Sequence, residues 1–532
     1  VTTAGGRRDI VVVGAGHNGL VAACYLARAG LDVEVVERDG VVGGAVSTVE
    51  RWPGVRVDRG SSIHLMVRQT DIAEDLALDR HGLRYDDVEP WAVLPHPEKP
   101  VRFSADLDET CASIEAACGA ADATAYRDFI RTWMPRMKWF LEVSASPPTA
   151  GSLGRRGVAL FRSERRRPAA LVRSFVEPAE AMLARQFRDP RLRATLGWWA
   201  AQSGPPPHAV GTAPMAGTAA LFHLRPAGRP RGGSGRLSDA LAARFASDGG
   251  TIRIGDPVVG ITPRMSDGLC AVTTACGDRI TARAVLAACH VRDTARLLGD
   301  ADTARAVRVG DGIGMALRLL TDRLPAYPVD APGVHTAMQL LVESPTQLRA
   351  AYGDFLRGEP SHDPPLIVMT PTATDPSLAP EGRHVVTVWA QWHPYRLRDG
   401  DWNDARERVA DAILGSVDRW APGFSDGVLD RFVQTPEDLE RELGLHAGNL
   451  MHVEPELDAM FTLRPMPGWS AYRAPYAGVY LCGASTHPGG GVWGASGRSA
   501  AAVVTRDLTR RSHAARGRGA GRSHATTSSG SA

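Results

Sequence analysis

The chain has 532 residues, 44% apolar and 23% charged, which is normal for a folded soluble protein. At roughly 100–200 residues per domain, two or three domains are expected. A formal net charge of +2 gives no reason to expect a nucleic-acid partner. The cations are nearly all arginine, and the only lysines are Lys99 and Lys138. With abundant Ala and Gly this suggests a high-GC bacterial coding bias, and any mechanism needing a lysine must use one of those two. Cys24, Cys111, Cys118, Cys270, Cys276, Cys289 and Cys482 include no C-x-x-C pair. Neither a metal site nor a dithiol redox centre is therefore expected, and scattered free thiols suit a reducing cytoplasm. A strand pattern begins at Asp9, so no signal peptide is expected, and no apolar run reaches the ~18 residues of a membrane span.

Asp9–Gly14 (DIVVVG) predicts a buried parallel strand. It leads into Gly14-x-Gly16-x-x-Gly19. Leu20, Val21, Cys24, Leu26 and Ala27 then fall at helical spacing up to Gly30. A second strand, Val33–Val36, ends at Glu37. Each part has a task in dinucleotide binding. Gly14 turns the chain out of the strand, Gly16 admits a pyrophosphate to the backbone, and Gly19 lets helix and strand pack closely. The helix N-terminus offers free N–H groups to phosphates, and Glu37 accepts from ribose hydroxyls. NAD and FAD share this fingerprint. Next comes Arg38-Asp39-Gly40-Val41-Val42-Gly43-Gly44, where the pair Gly43-Gly44 resembles the FAD families of the glutathione-reductase-like fold. Asp58-Arg59-Gly60-Ser61-Ser62 resembles the stretch that reaches the flavin end in those families.

Residues 69–225 read as largely helical. Within them Pro147–Pro168 is rich in Pro, Gly and Arg (Arg155, Arg156, Arg162, Arg165, Arg166, Arg167), which fits a solvated mobile loop or a peripheral membrane contact. Gly232-Gly233-Ser234-Gly235 precedes a helical stretch, Leu237–Ala246. Strands are predicted at Thr251–Ile254, Val258–Ile261, Cys270–Thr274, Arg279–Ala282 and Val285–Ala288. Gly310-x-Gly312-x-Gly314 follows no clear strand and reads as a turn, so no second nicotinamide site is indicated. On the predicted strand His384–Trp392, Trp389 and Trp392 either line an apolar cavity or pack in the core.

Gly478–Cys482 predicts another buried strand. The stretch GASTHPGGGVWGASG (483–497) follows, then a helix from Arg498 to about Leu508. Strand, glycine loop and helix again form an anion-cradling design. Arg510–Ala532 has almost nothing to bury and reads as disordered. The 483–497 stretch is similar to the C-terminal signature of phytoene desaturases and carotenoid isomerases. The opening GAGHNGLVAA, with Asn449-Leu450-Met451-His452 and Leu463-Arg464-Pro465, is closer to the subgroup typified by pyridine nucleotide-disulfide oxidoreductase domain-containing protein 2.

That resemblance implies an α/β fold with an α+β substrate domain: a glutathione-reductase-like two-domain FAD fold whose Rossmann-type FAD domain is discontinuous. The FAD domain would comprise 1–68, 226–300 and 455–510, the inserted substrate domain 69–225 and 301–454, and the disordered tail 511–532. It implies FAD held by Gly14, Gly16, Gly19, Glu37, Arg38, Gly43, Gly44, Ser61, Ser62, Gly483, Ala484, Gly491, Val492 and Trp493, with Val258 and Val259 near the adenine. The leading expectation is an FAD-dependent dehydrogenase (desaturase) of a small apolar or polycyclic molecule, such as a terpenoid or polyketide. The electron acceptor would be oxygen, a quinone or a redox protein. An amine or amino-acid oxidase, a redox-neutral isomerase on reduced flavin, and a non-catalytic binding protein like the Rab GDP-dissociation inhibitors are the alternatives. Candidates to move a proton are His64, His487, Trp493 and His452, with Glu454 beside the last.

Overall fold

The computed structural model describes residues 6–163 and 168–522. Two seven-stranded sheets organise it. The first runs in the order Val258–Thr262, Cys270–Thr274, Arg279–Ala287, Arg7–Val13, Val33–Val36, Thr251–Arg253, with Val479–Leu481 added beside Arg279–Ala287. Its centre is parallel: Arg7–Val13 pairs in parallel with both Arg279–Ala287 and Val33–Val36. An unbroken apolar run is needed there because both faces are covered. Ile10 and Val12 pack into one cluster with Leu20, Leu26 and Val504, while Val11 and Val13 pack into another with Ile261 and Val272.

The second sheet runs Val428–Gln434, Gly314–Thr321, His384–Gln391, Leu366–Met369, Met338–Leu341, Ala92–Leu94, Val101–Phe103. Neighbours are antiparallel except Met338–Leu341 against Ala92–Leu94. Helices between Leu107 and Ala200 share a large core with it. At the centre of that core Trp91 stacks on Phe222 at 4.0 Å, with Trp199 edge-on to both.

The chain's extremities meet in the first sheet. Val479–Leu481 pairs in parallel with Val285–Ala287. The first helix (His17–Arg28) packs against the last (Ala495–Arg522), with Gly497 set against first-helix backbone. A Cβ there would run into the carbonyl oxygen of Asn18 and stand 3.0 Å from the Ala22 nitrogen.

Several sequence expectations need correction. Arg279–Ala282 and Val285–Ala288 are one strand, Arg279–Ala287. Its first half pairs antiparallel with Cys270–Thr274, and along its length it lies parallel to Arg7–Val13. The boundary at residue 68 falls too early, because Ile72, Leu76, Leu78 and Leu83 belong to the cofactor-side core. The Pro147–Pro168 stretch is no loop: Ala150–Ser163 is a helix between Pro148 and Pro168, although Arg165, Arg166 and Arg167 lie outside the described residues. The last helix continues to Arg522 instead of giving way to disorder near Arg510, and residues 523–532 lie outside the described ones. Trp392 is a core residue, its indole donating to Gly204 O at 2.9 Å, and Trp389 is half-buried and donates to Gln391 Oε1 at 2.7 Å.

Candidate functional site

The carboxyl ends of the parallel strands open onto a cleft of about 490 Å³. Its walls come from Gly14–Gly19, Val36–Asp39, Gly43–Ala45, Pro257–Val259, Ala288–His290 and Gly483–Ala484, closed over by Glu442–Leu445 and His452. Ligands of open α/β sheets bind at this end of the strands.

The glycines differ in what they accomplish. Gly14, at φ +105°, takes a turn that side chains resist. A Cβ on Gly19 would strike the Gly14 carbonyl, so that glycine serves helix–strand packing. Gly16 has ordinary backbone angles (φ −62°, ψ 159°) and no heavy atom within 4 Å of a Cβ built on it. The room beside Gly16 is therefore reserved for something the chain does not supply. Gly43 passes close beside it, bridging to Gly16 and donating its N–H to Ala15 O at 2.8 Å.

Glu37 is buried at the cleft wall. Its Oε2 accepts from Ala15 N at 2.6 Å and its Oε1 from Asp39 N at 2.8 Å, which fixes the carboxylate while each oxygen keeps a further lone pair. Asn18 Oδ1 is buried on the same wall with no hydrogen-bond partner among the described residues. The open space at Gly16, the unused acceptor on Asn18, the poised Glu37 and the N-terminus of the first helix fit a dinucleotide. The backbone from Gly16 to Gly19 would hold the pyrophosphate, Glu37 a ribose, and Val258 and Val259 the adenine.

Of the residues expected from sequence, Gly14, Gly16, Gly19, Glu37, Arg38, Gly43, Gly44, Val259, Gly483, Ala484 and His452 line the cleft. Ser61, Ser62, Gly491, Val492, Trp493, His64 and His487 do not. Ser61 N donates to Ala45 O (2.8 Å) and Ser62 Oγ to Asp58 Oδ2 (3.0 Å). Asp58 also pairs with buried Arg229 at 3.1 Å and accepts from Ser234 N, so these residues brace the cleft from behind. Trp493 is buried edge-on to Phe140 and donates to Gly490 O.

The candidates for proton transfer fare differently from one another. His64 is fully buried, with Nδ1 against Tyr85 OH (2.7 Å) and Nε2 against Ser234 Oγ (2.8 Å), which leaves no ring nitrogen for a substrate proton. Burial, with the charges of His17, Arg229 and Arg68 behind it, pushes it down to about 3. Burial likewise lowers His487 to about 4, with Nε2 facing Val143 O. His452 lines the cleft but is lowered by burial, and then by Arg464, to about 3. At neutral pH all three imidazoles are uncharged and weakly basic. Glu454, bonded to Asn449 Nδ2 at 2.9 Å and raised by burial, is not part of the cleft wall.

His452 has a left-handed backbone (φ +64°), stacks on His290 at 5.0 Å and meets Ser485 Oγ through Nδ1. His17 and His290 also face the cleft, and sequence reasoning passed over both. His17 occupies a variable place inside the glycine fingerprint. His290 follows a strand end, and that position was the available signal. Lys99 and Lys138 are exposed and line no part of it. Away from the cleft Asp354, Glu359 and His362 gather, but Arg357 pairs with both carboxylates and Arg398 with Glu359.

The profile of the family described as "Flavin containing amine oxidoreductase" matches residues 19–505. The chain is 33% identical to the mouse (Mus musculus) pyridine nucleotide-disulfide oxidoreductase domain-containing protein 2, over 94% of each protein. It is 30% identical to a phytoene dehydrogenase of Streptomyces griseus, over 92% of this chain and 94% of that one. A phytoene desaturase (lycopene-forming) of a Paracoccus species is 27% identical, over 94% of this chain and 98% of that one. Among solved structures, wild-type putrescine oxidase bound to putrescine superposes with a TM-score of 0.58 at 16% identity, covering 95% of this chain and 99% of that one, a likeness of fold. Discontinuous sheet, cleft and matched profile agree: the chain belongs to the flavin-containing amine oxidoreductase family, and its cofactor is FAD.

Proposed function

We propose that the protein is a desaturase-type dehydrogenase of a small, largely apolar or polycyclic substrate, a terpenoid or polyketide in chemical class. The observation that supports this most is the character of the groups around the C-terminal glycine loop. Phe140 meets Trp493 at 5.7 Å, Phe461 meets His487 at 5.8 Å, and a Cβ on Gly491 would lie 3.8 Å from Met66. Aromatic and thioether surfaces recognise hydrocarbon rings by burial and shape, at about 25 cal/mol per Å² of apolar surface.

Bound FAD supplies a hydride acceptor at N5. The chain's own residues bind and orient. Glu37 and the glycine loops would hold the coenzyme, and the aromatic side chains beside the C-terminal loop would shield the reacting carbon. His64, His452 and His487, neutral and weakly basic, would not be the groups that retain the proton lost beside the hydride. The amine-oxidase alternative draws no support from lysine chemistry, since both lysines are exposed and outside the cleft. Anaerobic bleaching of the flavin is the test, run against terpenoids, polyketides, amines and amino acids. Bleaching by the first two groups is expected, and bleaching by amines alone would sink this reading.

A peripheral membrane contact fits the same substrate class. Val158 (49% exposed), Phe161 (45%), Val172 (51%) and Val176 (43%) present apolar surface beside Arg155, Arg162 and Arg173 on two consecutive helices, and among the described residues no helix is long and apolar enough to cross a membrane. The protein is expected to float with vesicles containing anionic lipid. Flotation should weaken when Phe161 and Val172 are changed to Ser, and equal flotation of that variant would remove the contact from the proposal.

A further inference from the structure

Arg464 is 2% exposed, and its guanidinium is engaged wholly by backbone carbonyls. Nε donates to Thr486 O (3.3 Å), Nη1 to Ala459 O (3.3 Å), and Nη2 to Met451 O (2.8 Å), Val453 O (3.1 Å) and Ala484 O (2.9 Å). None of these acceptors is a carboxylate. Glu454 is the acid whose field it feels, and that carboxylate is hydrogen-bonded to Asn449. A guanidinium stays charged inside a protein, and burying it without a bonded counter-ion opposes folding. Neutral amide side chains can pin loops by their N–H groups, so loop bracing alone does not require the charge.

Its position gives the charge a use. Ala484 and His452 line the cofactor cleft, and Arg464 holds the carbonyl of the first and those on either side of the second. A Cβ on Gly489 would lie 3.5 Å from its Cζ, so the cation sits directly beneath the loop that runs from Gly483 to Gly491. With adenine, ribose and pyrophosphate in the cleft from Val259 to Gly19, a bound flavin would continue past them toward that loop. Two-electron reduction places negative charge on the N1–C2=O edge of the ring. A fixed, buried cation behind that loop would favour that charge without reorganising.

We propose that Arg464 is a positioning residue that acts electrostatically through the Gly483–Gly491 loop, raising the flavin's affinity for electrons. The proposal rests on the FAD site, and its test is read on flavin-loaded protein, so loss of cofactor and loss of tuning are separate results. Sulfite reports the effect without turnover: its sulfur lone pair bonds to N5 and leaves the negative charge on the N1–C2=O edge. At pH 8, Arg464→Met is expected to weaken sulfite binding about tenfold and to lower the two-electron midpoint potential by the equivalent of about 30 mV. Arg464→Lys keeps the charge and should stay within about threefold of the parent. Glu454→Gln removes the opposing charge and should tighten sulfite severalfold.

A merely structural Arg464 predicts otherwise: both Arg464 variants would bind FAD less well, with sulfite affinity and potential unchanged or falling equally. That result overturns the proposal. Should Arg464→Met fail to retain FAD, the Glu454→Gln measurement decides, and an unchanged sulfite affinity there is equally fatal.

Discussion

Gly16→Val is expected to purify folded but without visible flavin absorbance. The backbone at Gly16 suits any L-residue, and a Cβ there meets only open cleft, so the fold is expected to survive. The coenzyme does, because the branched side chain takes the room beside which the pyrophosphate must lie. Losing ~3 kcal/mol of binding weakens affinity about a hundredfold. Flavin content after purification, FAD titration and the apoprotein melting curve check this. Full flavin content in the variant would mean that the dinucleotide lies elsewhere.

Gly497→Val is expected to do the reverse and damage the fold first. Its Cβ would meet backbone, the Asn18 carbonyl and the Ala22 nitrogen, and backbone cannot move aside as a side-chain tip can. Forced separation of the first and last helices should cost about 3 kcal/mol, the upper end for overpacking. Melting temperature and flavin retention should fall together. A variant that keeps both would show that the two helices do not depend on this crossing.

The contrast between these glycines also shows what the sequence made legible. The fingerprint spacing located Gly14, Gly16, Gly19 and Glu37 because each answers a local demand within one strand–turn–helix unit. Buried β-branched runs disclosed Val33–Val36 and Cys270–Thr274 for the same reason. The single strand Arg279–Ala287 was harder to read. Arg283 interrupts its apolar pattern, and only the folded sheet shows Arg283 reaching Asp9 at 2.9 Å while the strand continues. Helix Ala150–Ser163 was misread because its flanking prolines and internal glycines are loop-like in composition, although the prolines bound the helix instead of breaking it. His64 was placed near the flavin by its neighbours in sequence. Tyr85 and Ser234, which claim its nitrogens, are distant in the chain and invisible to motif reasoning.

The junction of Cys482 Sγ with Asn18 O ties residues 464 positions apart. During translation at roughly 5–20 residues per second, on the order of 25–90 s separates the emergence of these two segments. From the emergence of Ala287 until that of Val479, the later part of that interval, the Val285–Ala287 stretch has Arg7–Val13 on one side but no neighbour on the other, and the coenzyme pocket lacks a wall. The nascent polypeptide is therefore expected to leave an unpaired strand edge open until its last segment emerges. Holoenzyme yield should depend on chaperone shielding until release, more than on how early riboflavin-derived coenzyme is supplied.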